Sequence, residues 1–338
     1  IPATILYEHL KKNKKVIIST DKRGSRYLDQ NFYDFEIIDT PKLDNIFYLP
    51  LSVIKILFLT LKSFFLLKDM LIEKVFSTGG YMSLPIILAA RMLKLEIYLV
   101  EPNQVIGRAN KYFLNSCKKI LCYSENVQNF PDKFKNKVRT IYPLVKEHIY
   151  KSKLSDKIND KFTLLIVGGS QGANFFDKNL KDIIVNISKE VQIKVIHQTS
   201  KKNTSYLTEF YTNNGIENQI FSFDKNFFSI IQQADLCITR AGASTLAELS
   251  VMNIPFIAVP LPTSKDNHQF ENANFYKQND CCWIIEQDHL EENIEEVLKD
   301  ILNNKTNYLR KKENLKKLNY QNSWINVNQK ILKIINEN

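Results

Sequence analysis

Cysteine is scarce in this sequence and carries no pattern. The five residues, Cys117, Cys122, Cys237, Cys281 and Cys282, form no C-x-x-C pair and have no histidines at zinc spacing, so a zinc site or a disulfide scaffold is excluded. They read as reduced thiols lying in apolar runs. No Asp-x-Asp triplet occurs anywhere, which removes the usual carboxylate pair of metal-dependent sugar-nucleotide sites. No repeat of fixed period is present. No basic region followed by an apolar core opens the chain, so a signal peptide is not expected. The first residues are Ile1-Pro2-Ala3 rather than Met, and the N-terminus reads as truncated.

What is present is an ordinary globular composition, with 44% apolar and 24% charged residues in a chain of 338. That length suits two α/β domains. The formal charge of +10 favours an anionic partner, such as a phosphorylated ligand or an acidic membrane surface. Nucleic acid is not expected, because no platform of interleaved aromatic and basic residues accompanies the charge.

The stretch that organises the chain is Val167-Gly168-Gly169-Ser170-Gln171-Gly172-Ala173. It follows the apolar run Phe162 to Val167 and precedes a helical segment from about Ala173 to Ser188, giving strand, Gly-rich turn and helix start. Such a turn presents backbone N–H groups at the positive end of a helix dipole, where a phosphate binds without meeting side chains. A Gly-Gly turn can also serve only to turn.

On either side of it the chain alternates. The first half predicts a helix over Ile1 to Lys12 and strands over Lys15 to Thr20, Asp34 to Asp39, Lys74 to Ser77, Glu96 to Val100, Ile120 to Tyr123 and Lys137 to Tyr142. The second half predicts strands over Phe162 to Val167, Gln192 to His197, Gln219 to Phe223, Asp235 to Thr239, Pro255 to Val259 and Cys282 to Ile285, with helices between. Helices follow over His289 to Leu302, Thr306 to Leu318 and Asn322 to Ile335. Two parallel sheets with helices on both faces are implied, with ligands at the carboxyl ends of the strands. A polar stretch from Lys146 to Lys161 reads as a linker.

The segment Leu51 to Ile72 is the most apolar. Lys55, Lys62 and Asp69 interrupt it, and each ion is costly at mid-bilayer, which argues against a span. Drawn as a helix, Ser52, Lys55, Lys62, Ser63 and Asp69 share one narrow stripe. The surplus of Leu57, Phe58, Leu61, Phe64 and Phe65 beside Lys55, Lys62 and Lys68 suits either an anionic bilayer surface or packing on two sides.

Polar motifs collect at strand ends. After Thr239 comes Arg240-Ala241-Gly242-Ala243-Ser244-Thr245-Leu246-Ala247-Glu248. A carboxylate at Glu248 can accept two hydrogen bonds from a ribose diol, and a helical Glu there can equally face solvent. After Val259 comes Pro260-Leu261-Pro262 and then Lys265-Asp266-Asn267-His268-Gln269-Phe270-Glu271-Asn272-Ala273, a dense donor and acceptor set suited to sugar hydroxyls. Thr78-Gly79-Gly80-Tyr81 and Glu101-Pro102-Asn103-Gln104 are the counterparts in the first half.

In this order, GGSQGA (168–173), TRAGASTLAEL (239–249) and PLP…KDNHQFENA (260–273) resemble the MurG family of glycosyltransferases, family 28. GGY (79–81), Glu101-Pro102-Asn103, Asn110-Lys111 and His197-Gln198 add to the resemblance, which spans nearly the whole chain. It implies a GT-B fold: an acceptor domain over 1–145, a donor domain over 146–321, and a last helix over 322–338 crossing back to the first. It implies an inverting, metal-independent transfer of N-acetylglucosamine (GlcNAc) from UDP-GlcNAc to the N-acetylmuramic acid (MurNAc) of lipid I, without a cofactor, by a peripheral protein on the cytoplasmic face of the inner membrane. Other cell-wall synthesis proteins are implied as partners.

By the same resemblance, Ser170 and Gln171 contact the UDP diphosphate, and Glu248 the ribose. Gln269 with Lys265, Asp266 and His268 holds GlcNAc, groups near Asp224 and Lys225 read uracil, and Asn103 lies at the reaction centre. Tyr81, Glu101 and Asn110 line the acceptor side, and the Leu51 to Ile72 helix lies on the membrane. The family's N-terminal GGTGGH loop, whose His is the proposed base, would lie upstream of Ile1, which leaves Glu101 as the candidate base within the chain. Where the family has Asn-Pro-x-Arg, this chain has Tyr142-Pro143-Leu144-Val145-Lys146, so Lys146 supplies charge without the bidentate fork. Pro102 replaces a usual Gln. Two other readings stay open: a GT-B enzyme glycosylating a different lipid, and a non-catalytic donor-binding subunit.

Overall fold

A computed structural model describes residues 2–12, 14–41, 49–151, 161–222 and 227–337, with the backbone alone at 170–172. The chain divides into two compact units, one of Ile1–Leu144 with Trp324–Asn338 and one of Val145–Ser323.

The first unit runs α1 (Pro2–Leu10), β1 (Ile18–Thr20), α2 (Lys22–Ser25), β2 (Phe35–Ile37), α3 (Leu49–Asp69), β3 (Lys74–Ser77), α4 (Leu84–Met92), β4 (Glu96–Glu101), α5 (Arg108–Phe113), β5 (Lys119–Cys122) and β6 (Val138–Thr140). Strands β3 to β6 form a parallel sheet in sequential order, while β1 and β2 pair in parallel as a separate ribbon. The expected single sheet is therefore divided among the described residues.

In the second unit follow α6 (Glu147–Lys151), β7 (Phe162–Val167), α7 (Gly169–Ser188), β8 (Ile193–Gln198), α8 (Thr204–Asn213), β9 (Glu217–Phe221), α9 (Phe227–Ile231), β10 (Leu236–Thr239), α10 (Ala243–Val251), β11 (Phe256–Ala258), α11 (His268–Gln278), β12 (Cys282–Ile284), α12 (Leu290–Asn303) and α13 (Lys305–Leu318). Glu147–Lys151 is thus helical inside the stretch read as a linker; residues 152–160 of that stretch lie outside the described residues. The six strands are all parallel in the order β12-β11-β10-β7-β8-β9. Along β7, Leu164 and Ile166 enter one apolar cluster and Leu165 and Val167 the other, so period-two alternation buries both faces and the strand reads as one apolar run. The order reverses between β7 and β10. A doubly wound sheet opens a crevice at that point, because successive connections leave in opposite directions.

The last helix, α14 (Trp324–Asn336), belongs to the first unit. Trp324 stacks on His9 at 3.6 Å, and Asn328 Nδ2 donates to the His9 carbonyl at 2.8 Å. At its far end Lys74 Nζ donates both to Glu96, at 2.6 Å, and to the Ile335 carbonyl, at 2.8 Å. Lys118 Nζ also reaches Glu96 at 2.6 Å. The hydrogen bonds from Lys118 and Lys74 hold the Glu96 carboxyl down at about 2. A depressed acid contributes stability that is present above its ordinary value of 4.5 and lost as pH falls through about 2. Glu96 is 37% exposed, so solvent screening reduces that contribution to about 1 kcal/mol. Glu96→Gln should therefore speed amide exchange in the last turn of α14 at pH 7, with an effect that shrinks as pH falls toward 2; equal exchange at pH 7 would remove the clamp.

Helix α3 turns out differently from its helical wheel. Ser52, Ile56, Leu59, Thr60, Ser63 and Leu67 are its buried residues, and α4 is the helix packed against it. The small polar residues face inward because their hydroxyls bond within the helix, Thr60 to the Ile56 carbonyl at 2.8 Å and Ser63 to the Leu59 carbonyl at 2.7 Å. Leu57, Phe58, Leu61 and Phe65 are more than half exposed, joined by Leu51 and Ile54. Phe64 differs from the expected outward set, because it packs on the apolar cluster of the first unit. By length and composition α3 could cross a membrane, and 28% of its apolar window is buried.

Candidate functional site

The crevice at the β7/β10 reversal holds a cavity of about 230 Å³ lined by Val167, Gly168, Gly169, Thr239, Arg240, Gly242, Thr245, Leu261 and Gln269. Whole small-molecule sites run to roughly 300–1,000 Å³, so this space fits part of a nucleotide sugar. Three chain segments build it.

The first is the end of β7. Gly169 has φ +61°, a left-handed conformation that glycine adopts without a Cβ penalty. Its N–H donates to Gln198 Oε1 at 2.9 Å. The helix opens at Gly169 rather than at Ala173, so Ser170 and Gln171 lie in its first turn, where backbone N–H groups have no intrahelical partner. Beside Gln198, Thr199 donates at 2.6 Å to Asp177 on the same helix, and Asn203 Nδ2 does so at 2.8 Å. The end of β8 and the loop after it thus hold α7 at its first residue and again at its third turn.

The second segment is Arg240-Ala241-Gly242, leading into α10. Glu248 lies in the second turn of α10, one turn beyond Thr245 on the same face and outside the cavity lining. Its half-buried carboxyl makes no hydrogen bond among the described residues. Burial pushes it up to about 7, against the lowering charge of Lys146. A desolvated carboxylate without partners is an acceptor ready for two hydroxyls.

The third is the loop after β11. Gln269 Oε1 accepts from the Ala241 N–H at 3.2 Å and the Leu261 N–H at 3.0 Å, while Asn272 Nδ2 donates to the Ala241 carbonyl at 3.1 Å. Two residues of α11 therefore hold the β10 turn by both its backbone groups. Gln269 is expected to meet sugar hydroxyls; its carbonyl oxygen is spent on this tie, and its amide nitrogen is the end left for a ligand. His268 Nδ1 lies 2.7 Å from the Lys265 carbonyl. Since a carbonyl only accepts, that nitrogen carries the proton. Lys265 and Asp266 are exposed. Asp224 and Lys225 lie outside the described residues.

In the first unit, Glu101 does not present a free base. It is 2% exposed. Oε1 accepts from the Asn103 N–H at 3.2 Å and Asn103 Nδ2 at 2.9 Å; Oε2 accepts from the Gly107 N–H at 2.7 Å and Asn110 Nδ2 at 3.0 Å. Both oxygens are committed, so the carboxylate clamps the loop after β4. Asn103 and Asn110 belong to that clamp, and Asn110 is itself buried. Gly79, at φ +84°, passes so close that a Cβ there would lie 3.2 Å from Asn110 Nδ2. Tyr81, 36% exposed, remains available on the surface.

Residues that patterns alone did not mark are Gln198, Asn272, Gln287 and Arg240. Arg240 Nη1 donates to the carbonyls of Val259 at 3.1 Å and Pro260 at 3.3 Å, and Nη2 to Gln287 Oε1 at 2.6 Å. Gln198, Arg240 and Asn272 stood inside matched strings, but nothing in a string shows which backbone group a side chain reaches. Among the described residues no group of three or more His, Cys, Asp or Glu side chains could hold a metal ion.

Comparison with known proteins follows the same division. The glycosyltransferase family 28 N-terminal domain matches residues 1–122, and the glycosyltransferase family 28 C-terminal domain matches residues 163–324. The chain belongs to glycosyltransferase family 28. A protein of Pelagibacter ubique, "UDP-N-acetylglucosamine--N-acetylmuramyl-(pentapeptide) pyrophosphoryl-undecaprenol N-acetylglucosamine transferase", is 44% identical over 340 residues, covering 100% of this chain and 96% of its own. The protein of that name from Rickettsia felis is 31% identical over 318 residues, covering 90% and 87%. The crystal structure of Acinetobacter baumannii MurG shares the fold, with a TM-score of 0.77 at 23% identity over 99% of this chain and 94% of that one.

Proposed function

We propose that this family 28 glycosyltransferase moves GlcNAc from UDP-GlcNAc to the MurNAc 4-hydroxyl of lipid I, forming lipid II for peptidoglycan. The observation that carries the donor half is the crevice at the β7/β10 reversal, with an anion-binding helix start on one wall and the unpartnered Glu248 one turn along the other. The acceptor half rests on full-length similarity to relatives named for that reaction.

The acceptor hydroxyl attacks C1 of GlcNAc from the face opposite UDP and gives up its proton to water, the C1–O bond to the β-phosphate breaks, and its electron pair leaves on the diphosphate. Charge therefore grows on the phosphate oxygens in the transition state, and preorganised donors aimed there lower the barrier. The N–H groups that follow Gly169 in the first turn of α7 are such donors, fixed in advance by the Gly169–Gln198 and Thr199–Asp177 bonds. Lys146 adds charge beside Glu248. Incubation with UDP-GlcNAc and a lipid I analogue should release UDP and yield the disaccharide lipid. Turnover on diacylglycerol but not on lipid I would move the activity to glycolipid synthesis, and UDP-GlcNAc binding without turnover on either would leave a donor-binding subunit.

The outward apolar face of α3, edged by Lys55 and Lys62, fits peripheral attachment to an anionic membrane on the cytoplasmic side, where lipid I would be met. Phe58→Glu with Phe65→Glu should weaken sedimentation with anionic vesicles by more than about tenfold, since each ring forfeits its apolar transfer. UDP affinity should not change. The same pair of substitutions leaving sedimentation intact would remove α3 from the membrane contact.

A further inference from the structure

Arg240 is 8% exposed, and among the described residues no carboxylate lies within ion-pair distance of it. Its guanidinium sits over the rings of Phe175 and Phe176, at 4.8 and 5.0 Å from their centres. The donors on Nη1 and Nη2 meet two carbonyls and an amide, all neutral, and Nε is buried with no hydrogen-bond partner. A buried cation without a counter-charge costs several kcal/mol relative to a paired one, and a fold retains it where something else repays the cost. Arg240 also lines the cavity at the β7/β10 reversal, together with Gly168 and Gly169.

We propose that Arg240 is the fixed counter-charge of the donor cavity, completed by the diphosphate of the bound nucleotide. The inference deepens the donor reading and rests on it. The three neutral acceptors, and the two rings beneath, hold the guanidinium in one place before the ligand arrives, so no reorganisation is needed when negative charge arrives or grows. The tie to Val259 and Pro260 also means that the charge and the β11 loop move together. In this reading Glu248 recognises the ribose of the nucleotide and Arg240 its phosphates.

The two roles separate by ligand. Calorimetry on the full chain should show wild type binding UDP more tightly than uridine. Arg240→Gln should lower that ratio by about tenfold, the weight of one unit charge at partly screened range, with uridine affinity held within about twofold. Arg240→Lys, which keeps the charge, should hold most of the ratio. In turnover, Arg240→Gln should lose more in kcat than Arg240→Lys, because charge on the leaving diphosphate increases as the C1–O bond breaks. If UDP and uridine affinities fall together in Arg240→Gln, or neither falls, Arg240 is a structural tether and the proposal is wrong. If wild type binds neither, the donor reading itself fails. Should Arg240→Gln not fold, inorganic pyrophosphate alone must still raise the thermal midpoint of wild type, and Arg240→Lys must keep that rise; the lack of either overturns the proposal.

Discussion

Uridine should bind about tenfold more weakly at pH 6 than at pH 8, because the Glu248 carboxyl, raised to about 7, changes from mostly ionised to mostly protonated over that range. In the proposed ribose contact, the ionised form has both oxygens free to accept, whereas the protonated form has one of them as a donor. Uridine is the right probe, since UDP carries a phosphate that titrates in the same window. A dideoxyuridine, without the diol, should show no such dependence. Glu248→Gln should give a flat profile and, at pH 8, lose about 10- to 100-fold in uridine affinity, the range expected of hydrogen bonds to a charged acceptor. A pH profile that survives in Glu248→Gln would assign the titration to another group and take Glu248 out of the ribose contact.

The same shift bears on stability, with the opposite direction. An acid whose folded value lies above its ordinary 4.5 holds its proton in the folded state while the unfolded chain has lost it. Between pH 4.5 and about 7 the unligated second unit therefore loses stability as pH rises. Ligand binding and stability would thus pull Glu248 in opposite directions: the state proposed to bind ribose is the one that burial penalises. Such opposition is common where a site, rather than a core, sets the residue.

Much of this is legible in the amino-acid sequence. The strand positions of the second unit follow from apolar runs buried on both faces, and the turn at Gly168 and Gly169 from two glycines between such a run and a helix. What the pattern could not supply is which side-chain atoms are already occupied. Gln269 stands in a string suited to sugar hydroxyls, yet its oxygen is taken by two backbone donors from loops 28 and 8 residues away. Arg240 stands beside a Gly turn, where its burial, its neutral partners and its lack of a counter-charge depend on residues brought from β11, α7 and the turn before α12. For α3, the helical wheel gives angles between side chains but not which face a neighbour covers. Ser63 is polar by composition and 0% exposed by position, because its hydroxyl is satisfied within the helix.

Glu101 is the sharpest case, and its replacement should have a large effect of an unexpected kind. As a base, it would lose function and little else on conversion to Gln. As the clamp seen here, it holds four donors, two of them backbone N–H groups at Asn103 and Gly107. Glu101→Ala removes every acceptor at a buried position, and leaving buried donors unsatisfied costs about 1–3 kcal/mol each, so a loss of at least about 3 kcal/mol in the first unit is expected. Glu101→Gln keeps one oxygen and turns an NH2 toward the donors on the other side, so it should also destabilise, by roughly half as much. Hydrogen exchange at the Asn103 and Gly107 amides reads this locally, which matters in a chain of two units where one melting curve need not report one transition. Faster exchange at both amides in both variants, with residual transfer recovered at low temperature, marks the clamp. Unchanged exchange together with a thousandfold fall in kcat, the scale of a lost general base, would restore Glu101 to the chemistry.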